Sequence, residues 1–332
     1  MDAAYRKVVV IGASAGGIEA VARVIGDLPA DIRAAFFVVV HLNASVPSML
    51  AQILGRRTAL EVLPAADGLP IQAGRVYTAL PGFHLLIDGE VMRLGRGPLQ
   101  NNFRPAVDPL FRTAAEAYGP QVIGVVLSGN LDDGTAGLMA VKKRGGTAIV
   151  QDLEDATYPG MPASAIQEVP DIDFVLPASD IGRVIANLTG NADPLERHLP
   201  RLGSAEITLG RDFAKHSNQS PFGCPNCGGV LQEERAGELV LYRCRVGHMF
   251  SDEALLAAQT ENLETALWTA LRALEEAAEQ SNGLAERIRG RGHAHLAERF
   301  VRQRVELLRR AEIVRHALDY TVTTGEQVKT AG

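Results

Sequence analysis

Long apolar runs are missing from this sequence, and with them the usual sign of a membrane-spanning helix. The longest purely apolar stretch, Ala34 to Val40, falls far short of the ~20 residues that a helix needs to cross a bilayer. The first residues, Met1 to Lys7, lead directly into an apolar strand pattern, without the apolar core of a signal peptide. We therefore expect no membrane insertion and a cytoplasmic location.

Excess positive charge and an even set of cysteines are also lacking. The 332 residues include 33 Lys and Arg against 39 Asp and Glu, a net charge of −6, and such a chain is not expected to bind nucleic acid in general. Three cysteines are present, and an odd number in a cytoplasmic chain argues against disulfides. A hydrophobic content of 46% is enough for more than one packed domain.

Strand-like and helix-like segments alternate up to about residue 188, which predicts an α/β domain over residues 1–190. Strands are predicted at 7–12, 35–41, 75–79, 121–128, 147–151 and 173–177, and helices at 16–27, 46–56, 106–118, 134–144 and 179–188. This alternation predicts a doubly wound, mostly parallel sheet with helices on both faces. A small hairpin is predicted as an insertion around Asp88-Gly89-Glu90.

Beyond residue 190 the pattern changes to a linker, a cysteine module and two long helices. Polar residues, Pro and Gly predict a linker at 191–220, followed by the module at 221–250, an antiparallel helical hairpin at 251–320 and a flexible tail at 321–332. The hairpin is predicted to turn at Ser281–Gly283, with an acidic first arm and a basic second arm. It either packs on its own protein or offers a protein-binding surface.

The segment Gly12-Ala13-Ser14-Ala15-Gly16-Gly17 joins an apolar strand to a helical pattern. A serine between glycines at a strand-to-helix turn is one way to hold a nucleophile out of the chain. Phosphate-binding turns have a similar form, but their middle glycine is replaced here by Ser14. A nucleophilic serine, a phosphate loop and a purely structural turn all remain open at this point, with the nucleophile favoured.

Two further side chains follow predicted strands and complete a set of acyl-transfer groups. His41 ends the second strand, and Asp133 lies in the loop before a predicted helix. Alone, His41 is more simply a structural histidine and Asp133 a helix cap. Together with Ser14 they supply a hydroxyl, an imidazole and a carboxylate at the same edge of a parallel sheet. Their order along the chain differs from that of α/β-hydrolases.

Residues 7 to about 188 resemble the catalytic domain of the chemotaxis receptor methylesterases, the CheB family of protein-glutamate methylesterases. The matching segments are Val10–Gly17, Val40–Leu42, Asp67–His84, Arg104–Asp108, Gly124–Gly137 and Gly160–Pro162. The resemblance implies hydrolysis of glutamate γ-methyl esters, or deamidation of glutamines, on a methyl-accepting chemoreceptor or a similar helical signalling protein. It makes Ser14 the nucleophile, His41 the general base and Asp133 the orienting acid, with no cofactor for catalysis.

The same resemblance assigns the oxyanion and substrate contacts, with some departures from the family pattern. It places the oxyanion and substrate near the residues Ala15, Gly16, Asn130, Leu131 and Arg104. The family usually has threonine where this chain has Ala15, and methionine and glycine where it has Asn130 and Leu131. No receiver domain precedes Met1, so we expect control to lie beyond residue 190. The alternative is a weakly active or inactive scaffold that binds partners through its C-terminal modules.

The three cysteines lie together in the module at 221–250 and predict a zinc ribbon. Cys224 and Cys227 form a Cys-x-x-Cys pair, and Cys244 and His248 follow at Cys-x-x-x-His spacing. A redox pair would need neither Cys244 nor His248. Because four protein ligands leave no open coordination position, we expect a structural zinc and an esterase domain that works without it.

Overall fold

The computed structural model describes residues 7–41, 48–190, 218–236 and 239–330. Contacts divide the chain into two compact units, Met1–Leu255 and Leu256–Gly332. Most of the predicted linker, residues 191–217, lies outside the described residues.

The first unit is built on a sheet of seven parallel strands. The strands of residues 7–176 are β1 (Lys7–Ala13), β2 (Ala34–Val40), β3 (Glu61–Pro64), β4 (Arg75–Thr78), β5 (His84–Asp88), β6 (Val91–Gly95), β7 (Val122–Val126), β8 (Thr147–Gln151) and β9 (Phe174–Leu176). The sheet runs in the order β3-β4-β2-β1-β7-β8-β9, and β5 and β6 form the predicted separate hairpin. The doubly wound parallel sheet predicted from the sequence is confirmed.

Helices cover both faces of this sheet, because its strands carry apolar side chains on both sides. The helices are α1 (Gly17–Gly26), α2 (Leu50–Gly55), α3 (Val107–Tyr118), α4 (Thr135–Lys143), α5 (Gly160–Glu168) and α6 (Ala178–Gly190). Val8 and Val10 of β1 belong to the core under α3, α4 and α5, whereas Val9 and Ile11 belong to the core under α1, α2 and α6. Burial on two faces explains the nearly continuous apolar sequence of the strand.

Three elements of this domain are not among the sequence predictions: strand β3, helix α5 and a short 3-10 helix at Gly119–Gln121. The edge strand β3 has only four residues and ends in Pro64, so its pattern is too short to recognise. Helix α5 has Pro162 in its first turn, where a missing N–H costs no helical hydrogen bond.

The cysteine module forms a four-stranded antiparallel sheet. Its strands are β10 (Asn218–Gly223), β11 (Val230–Ala236), β12 (Leu239–Cys244) and β13 (Met249–Ser251), paired in that order. Strand β10 begins at Asn218, so the end of the predicted linker, 218–220, is part of the ribbon. This sheet belongs to the same compact unit as the parallel sheet.

Two long helices follow, α7 (Asp252–Gly290) and α8 (Ala294–Thr330). The predicted turn at Ser281–Gly283 is wrong: there Ser281 Oγ donates to the Ala277 carbonyl, so the polar side chains are satisfied along a continuous helix. The chain turns instead near Gly292, whose φ of +83° suits glycine. Helix α8 also continues to Thr330, into the segment predicted as a tail. No proline interrupts it, and adding residues to an existing helix costs little.

The helical arms contact each other through small and branched apolar side chains. Leu271, Ala311 and Leu318 form a buried cluster, and Glu275 and Arg315 pair across the arms. The pair joins the acidic arm to the basic arm, as expected for a hairpin. Within the described residues, none of the helices combines the length and apolarity that a bilayer span requires.

Candidate active site

Three strands of the parallel sheet end at one edge and bring Ser14, His41 and Asp133 together. Ser14 follows β1, His41 follows β2, and Asp133 lies in the loop after β7. His41 Nδ1 is 3.0 Å from Ser14 Oγ, and His41 Nε2 is 2.7 Å from Asp133 Oδ2. The imidazole therefore lies between the hydroxyl and the carboxylate, which is the arrangement of an acyl-transfer triad.

The turn after β1 holds Ser14 in place through backbone contacts. Ser14 N–H donates to the Ser128 carbonyl at 2.9 Å, and Gly17 N–H donates to the Ser14 carbonyl at 3.0 Å. Gly16 has φ +68°, a left-handed conformation that glycine adopts without a Cβ penalty. A Cβ there would also lie 2.9 Å from Ser128 Oγ. The glycines thus permit the sharp turn that presents the serine at the start of α1.

The Asp133 carboxylate is buried and accepts four hydrogen bonds. Its Oδ2 accepts from His41 Nε2 and, at 2.7 Å, from Val107 N–H. Its Oδ1 accepts from Asn101 Nδ2 and Asp108 N–H, both at 3.2 Å. Burial raises the pKa of Asp133, but the hydrogen bond and charge of His41 and the two backbone N–H groups outweigh it and lower that pKa below its ordinary value.

The ionised state of Asp133 determines which nitrogen of His41 carries the proton. A carboxylate only accepts hydrogen bonds, so Nε2, which faces Asp133 Oδ2, must be the N–H. The unprotonated Nδ1 then directs its lone pair at Ser14 Oγ. This tautomer is the one that accepts a proton from the serine hydroxyl.

The imidazole of His41 lies flat against the ring of Phe103. The two ring centroids are 3.6 Å apart, and the ring planes differ by 9°. Phe103 ends a tight turn in which Gln100 and Phe103 exchange backbone hydrogen bonds. The central residues Asn101 and Asn102 both have positive φ, which asparagine tolerates better than most residues. This turn therefore places one side chain on His41 and another, Asn101, on Asp133.

The peptide between Ala15 and Gly16, the predicted oxyanion contact, is held by a side-chain hydrogen bond. Ser128 Oγ donates to the Ala15 carbonyl at 2.8 Å. The N–H of Gly16 belongs to the same planar peptide and points opposite to that carbonyl. The contact with Ser128 thus fixes the direction of the Gly16 N–H at the start of α1, where N–H groups attract negative charge.

Asn130 and Leu131 lie in the loop between Ser128 and Asp132. Asn130 is exposed, and Leu131 has φ +61°. The loop is held by Gly129, whose N–H donates to the Tyr158 carbonyl and whose carbonyl accepts from Met161 N–H, both at 2.8 Å. A role for Asn130 and Leu131 in substrate contact stays a prediction.

Arg104 is engaged in contacts with a neighbouring loop. Its guanidinium donates to the carbonyl of Gly97 at 2.7 Å and to that of Arg96 at 3.4 Å. The charge of Arg104 also affects His248 in the cysteine module: burial first, and then this charge, lower the pKa of His248. These contacts give Arg104 a bracing position, and its predicted substrate role rests on the family resemblance alone.

A buried ion pair between Asp108 and Arg112 lies next to Asp133 and contacts the start of α4. Asp108 Oδ2 lies 3.7 Å from Arg112 Nη1, and Asp108 Oδ1 accepts from the N–H groups of Gly134 and Gly137 at the start of α4. Asp108, rather than Asp133, therefore serves the N-terminus of this helix. Burial and the charge of Asp133 raise the pKa of Asp108 to about 6, against the lowering effect of Arg112.

Several of these supporting residues were not predicted from the sequence. Asp108 lies within the matched family segment Arg104–Asp108, and Asn101 and Phe103 lie just before it. The presence of this segment is the sequence feature that could have pointed to these residues. Ser128 likewise lies in the matched segment that ends β7. Their roles depend on contacts between distant parts of the chain, which a motif does not display.

Cys224, Cys227, Cys244 and His248 form a second cluster, in the ribbon. Their ligand atoms all lie within 4.8 Å of one another. The Cys227 and Cys244 sulfurs are 3.7 Å apart, and His248 Nδ1 is 3.4 Å from Cys244 Sγ and 3.6 Å from Cys224 Sγ. Tetrahedral zinc with Zn–S bonds of ≈ 2.3 Å places sulfurs about 3.8 Å apart. The four residues therefore fit a tetrahedral metal ion.

Backbone N–H groups surround one of these sulfurs. Burial raises the pKa of the Cys244 thiol, but hydrogen bonds from the N–H groups of His248, Gly247 and Val246 and from Cys227 outweigh it, so this pKa lies below its ordinary value. Such donors stabilise a thiolate, the form that binds metal.

Comparisons with known proteins give one consistent result for the parallel-sheet domain. The family model described as CheB methylesterase matches residues 9–185, more than half of the chain. A protein-glutamate methylesterase/protein-glutamine glutaminase 2 of Anaeromyxobacter dehalogenans is 41% identical over 187 residues, which are 56% of this chain and 54% of that protein. A Leptospira interrogans protein named for the same two activities is 36% identical over 184 residues, and the match covers 55% of this chain and 95% of that protein.

A solved structure agrees with these matches. The catalytic domain of the Thermotoga maritima CheB methylesterase is 38% identical in sequence and superimposes with a TM-score of 0.53, covering 55% of this chain and 98% of that domain. The chain spans about half the length of the Anaeromyxobacter and Myxococcus relatives, 54% and 47% respectively.

Proposed function

The chain belongs to the CheB methylesterase family, and from this premise we propose that it hydrolyses γ-methyl esters of glutamate side chains on chemoreceptor-like proteins. The observation that carries the proposal is the hydrogen-bonded series Ser14 Oγ, His41 and Asp133 at one edge of the sheet. The chain is accordingly a hydrolase with a serine nucleophile, and no cofactor takes part in the bond-making and bond-breaking steps.

In the first half of the reaction, Ser14 Oγ attacks the ester carbonyl carbon. His41 Nδ1 takes the hydroxyl proton, and Asp133 stabilises the imidazolium that forms. The C–O bond to the methoxy group then breaks as His41 returns the proton to that oxygen. Methanol leaves, and the glutamyl group remains as an ester of Ser14.

In the second half, water attacks the same carbonyl carbon. His41 Nδ1 accepts the water's proton and passes it to Ser14 Oγ as the acyl bond breaks, which releases the free glutamate. In both halves the developing oxyanion accepts from Gly16 N–H, with Ala15 N–H as the neighbouring donor. Ala15 carries no hydroxyl, so the backbone is the source of this stabilisation at position 15.

Deamidation of glutamine follows from the same geometry. The amide carbonyl takes the place of the ester carbonyl, and His41 protonates the leaving nitrogen, so ammonia leaves in place of methanol. The names of the relatives include this glutaminase activity. Because the amide nitrogen is a poorer leaving group than the methoxy oxygen, we expect deamidation to be slower than ester hydrolysis.

Methanol release tests the proposal. Methylated signalling helices of a chemoreceptor are incubated with the full chain and with Ser14→Ala, and methanol and free carboxylate are quantified. The proposal expects one methanol per carboxylate formed and a rate at least about 10³ times lower for Ser14→Ala. Equal release by both proteins, or none by either, would reject it.

We propose zinc for the ribbon cluster, held by Cys224, Cys227, Cys244 and His248. When bound there, zinc supplies structure, because four protein ligands leave no position for water or substrate. The ligand distances and the N–H donors around Cys244 support this assignment.

The helical hairpin is the proposed protein-binding element. Its α7 arm leaves Leu256, Leu263 and Trp268 more than half exposed. A helical receptor hairpin presents a similar amphipathic surface, so docking side by side would cover these side chains. A scaffold role without catalysis is the second candidate, and the exposed apolar residues of α7 are the observation that favours it.

A further inference from the structure

The zinc ribbon contacts the tight turn that supports the catalytic residues. Met249 of β13 donates its N–H to the Leu99 carbonyl at 3.3 Å, and its carbonyl accepts from Asn101 N–H at 2.8 Å. Strand β13 thereby extends alongside the turn at residues 100–103. The contact is reinforced by a small apolar cluster in which Leu239, Leu241 and Met249 pack on Ala136 of α4.

Ser251, the last residue of β13, reaches the loop that carries the triad acid. Its backbone N–H donates to Asn101 Oδ1 at 3.1 Å, and its Oγ donates to Asp132 Oδ1 at 2.7 Å. All three residues are buried. With its Oδ1 held by Ser251, the Asn101 amide must present Nδ2 to Asp133 Oδ1. One ribbon residue thus fixes Asn101 and also Asp132, the neighbour of Asp133.

The same turn orients the general base. Phe103 ends the turn and lies flat on His41, so displacement of the turn would free the imidazole to rotate. Both catalytic partners of Ser14 therefore depend on a segment whose outer side is paired with the ribbon. Catalysis depends on the exact positions of the catalytic side chains, and a displacement of such a group by 1 Å can lower the rate about 10²-fold.

The metal ligands control the placement of β13. His248 directly precedes this three-residue strand, and Cys244 N–H donates to the His248 carbonyl at 3.0 Å. The ribbon strands lie within residues 218–251, and a module this short depends on its metal for a fixed structure. Loss of the metal would release His248, and with it the strand that holds Asn101.

We propose that the zinc ribbon is a built-in positioning element of the esterase site, acting through Ser251 and Asn101 on Asp133 and through Phe103 on His41. Ester hydrolysis by this chain is therefore metal-dependent although no metal ligand touches the reacting atoms. This inference rests on the proposed esterase function, and it departs from the expectation that the esterase domain works independently of the zinc module.

The test compares the full chain in three states: zinc-loaded, chelated, and reloaded with zinc. Zinc per chain, kcat and KM for a small peptide glutamate γ-methyl ester, and amide hydrogen exchange are measured in each state. We expect about one zinc per chain when loaded and a kcat about 10- to 100-fold lower after chelation, with KM little changed and both restored by zinc. Exchange should increase at residues 99–103 while strands β1 and β7 stay protected.

Three variants distinguish the effect of metal loss from a direct effect of the chelator, and the effect of the positioning contacts from a general loss of folding. Cys227→Ser should reproduce the chelated state without a chelator, whereas Val230→Thr, an exposed ribbon side chain, should match the wild type. Asn101→Ala cuts the path to Asp133 and leaves the path through Phe103, so kcat should fall about 10-fold with zinc still bound, and chelation should cost less in this variant than in the wild type.

The outcomes are distinct from those of the esterase proposal. Unchanged kcat and unchanged exchange at 99–103 in protein with less than about a tenth of its zinc would overturn the inference, as would equal chelation effects in Asn101→Ala and the wild type. If the loaded protein hydrolyses no ester, the proposed function fails, and the exchange at 99–103 alone decides whether the metal holds the turn.

Discussion

Gly129 lies against Ser14 so closely that a Cβ added to Gly129 would be 2.8 Å from Ser14 Cβ and 2.2 Å from Met161 Sδ. The loop after β7 is therefore shaped around the serine, and it can carry no side chain at this point. The same loop leads within a few residues to Asp133, so the backbone that bears Asp133 also packs on Ser14.

This contact makes Gly129→Ala a sensitive substitution. We expect the added methyl group to displace Ser14 or Met161 and to lower kcat by about 10²-fold, with a loss of about 1–3 kcal/mol in the free energy of unfolding. Steady-state kinetics and denaturant unfolding measure both. Gly290→Ala is the control, because a Cβ there would have no atom within 4 Å beyond its own helix backbone and chain neighbours; a similar loss in that variant would reject the steric explanation.

Asp133 and its neighbour Asp132 allow a matched test of the proposed role of Asp133 as the residue that orients His41. In Asp133→Asn, an amide NH₂ would face two of the four donors that now surround the carboxylate. His41 would then favour the wrong tautomer, and kcat should fall on the order of 10³- to 10⁴-fold. Asp132→Asn keeps an Oδ1 acceptor for Ser251 and should lose at most about tenfold. Equal losses in the two variants would remove Asp133 from its proposed role.

Much of the site follows from local sequence, whereas its support does not. A β-branched run followed by glycines predicts β1, the turn and α1, and parallel strands bring their carboxyl ends to one edge, so Ser14 and His41 could be placed together. Asn101 and Ser251 are 150 positions apart, and no local pattern relates them. The turn of the helical hairpin is predicted in the wrong place for a related reason. Ser, Asn and Gly in sequence indicate a turn, but the Ser281 hydroxyl is satisfied by a carbonyl within α7, so the helix continues through these residues.

Buried Asp132 predicts a pH dependence of stability. Burial is the main cause that raises its pKa to about 7, whereas an aspartate in an unfolded chain titrates near ~4. The folded state therefore holds this proton more tightly, and the resulting stability is complete below about pH 4 and is lost as pH rises through about 7. Asp132→Asn should unfold at similar denaturant concentration to the wild type near pH 4.

At pH 8 the same variant should be more stable than the wild type, by up to about 4 kcal/mol. Denaturant unfolding at pH 4, 6 and 8 gives the comparison. Asp31→Asn, at an exposed position, controls for the loss of one charge. A difference between Asp132→Asn and wild type that does not grow with pH would contradict the buried-carboxyl explanation.

The exposed apolar side chains of α7 predict a role in recognition of protein substrates. Leu263→Ser and Trp268→Ser should raise KM for methylated receptor helices several-fold and leave kcat/KM for a small peptide ester unchanged, because in the proposed docking these residues would contact only the protein part of the substrate, away from the reacting group. Glu261→Gln, on the same exposed arm, should behave as the wild type. Identical responses of both substrates would assign α7 no part in recognition.

The most direct measurement is of the bond between substrate and Ser14. The full chain is mixed with a peptide glutamate γ-methyl ester, quenched in acid within the first turnover, and analysed by mass spectrometry of its peptides. We expect a glutamyl adduct on the peptide that contains Ser14, which decays with release of free glutamate and is absent in Ser14→Ala. Ester hydrolysis that proceeds at the wild-type rate in Ser14→Ala, or an adduct on another residue, would contradict it.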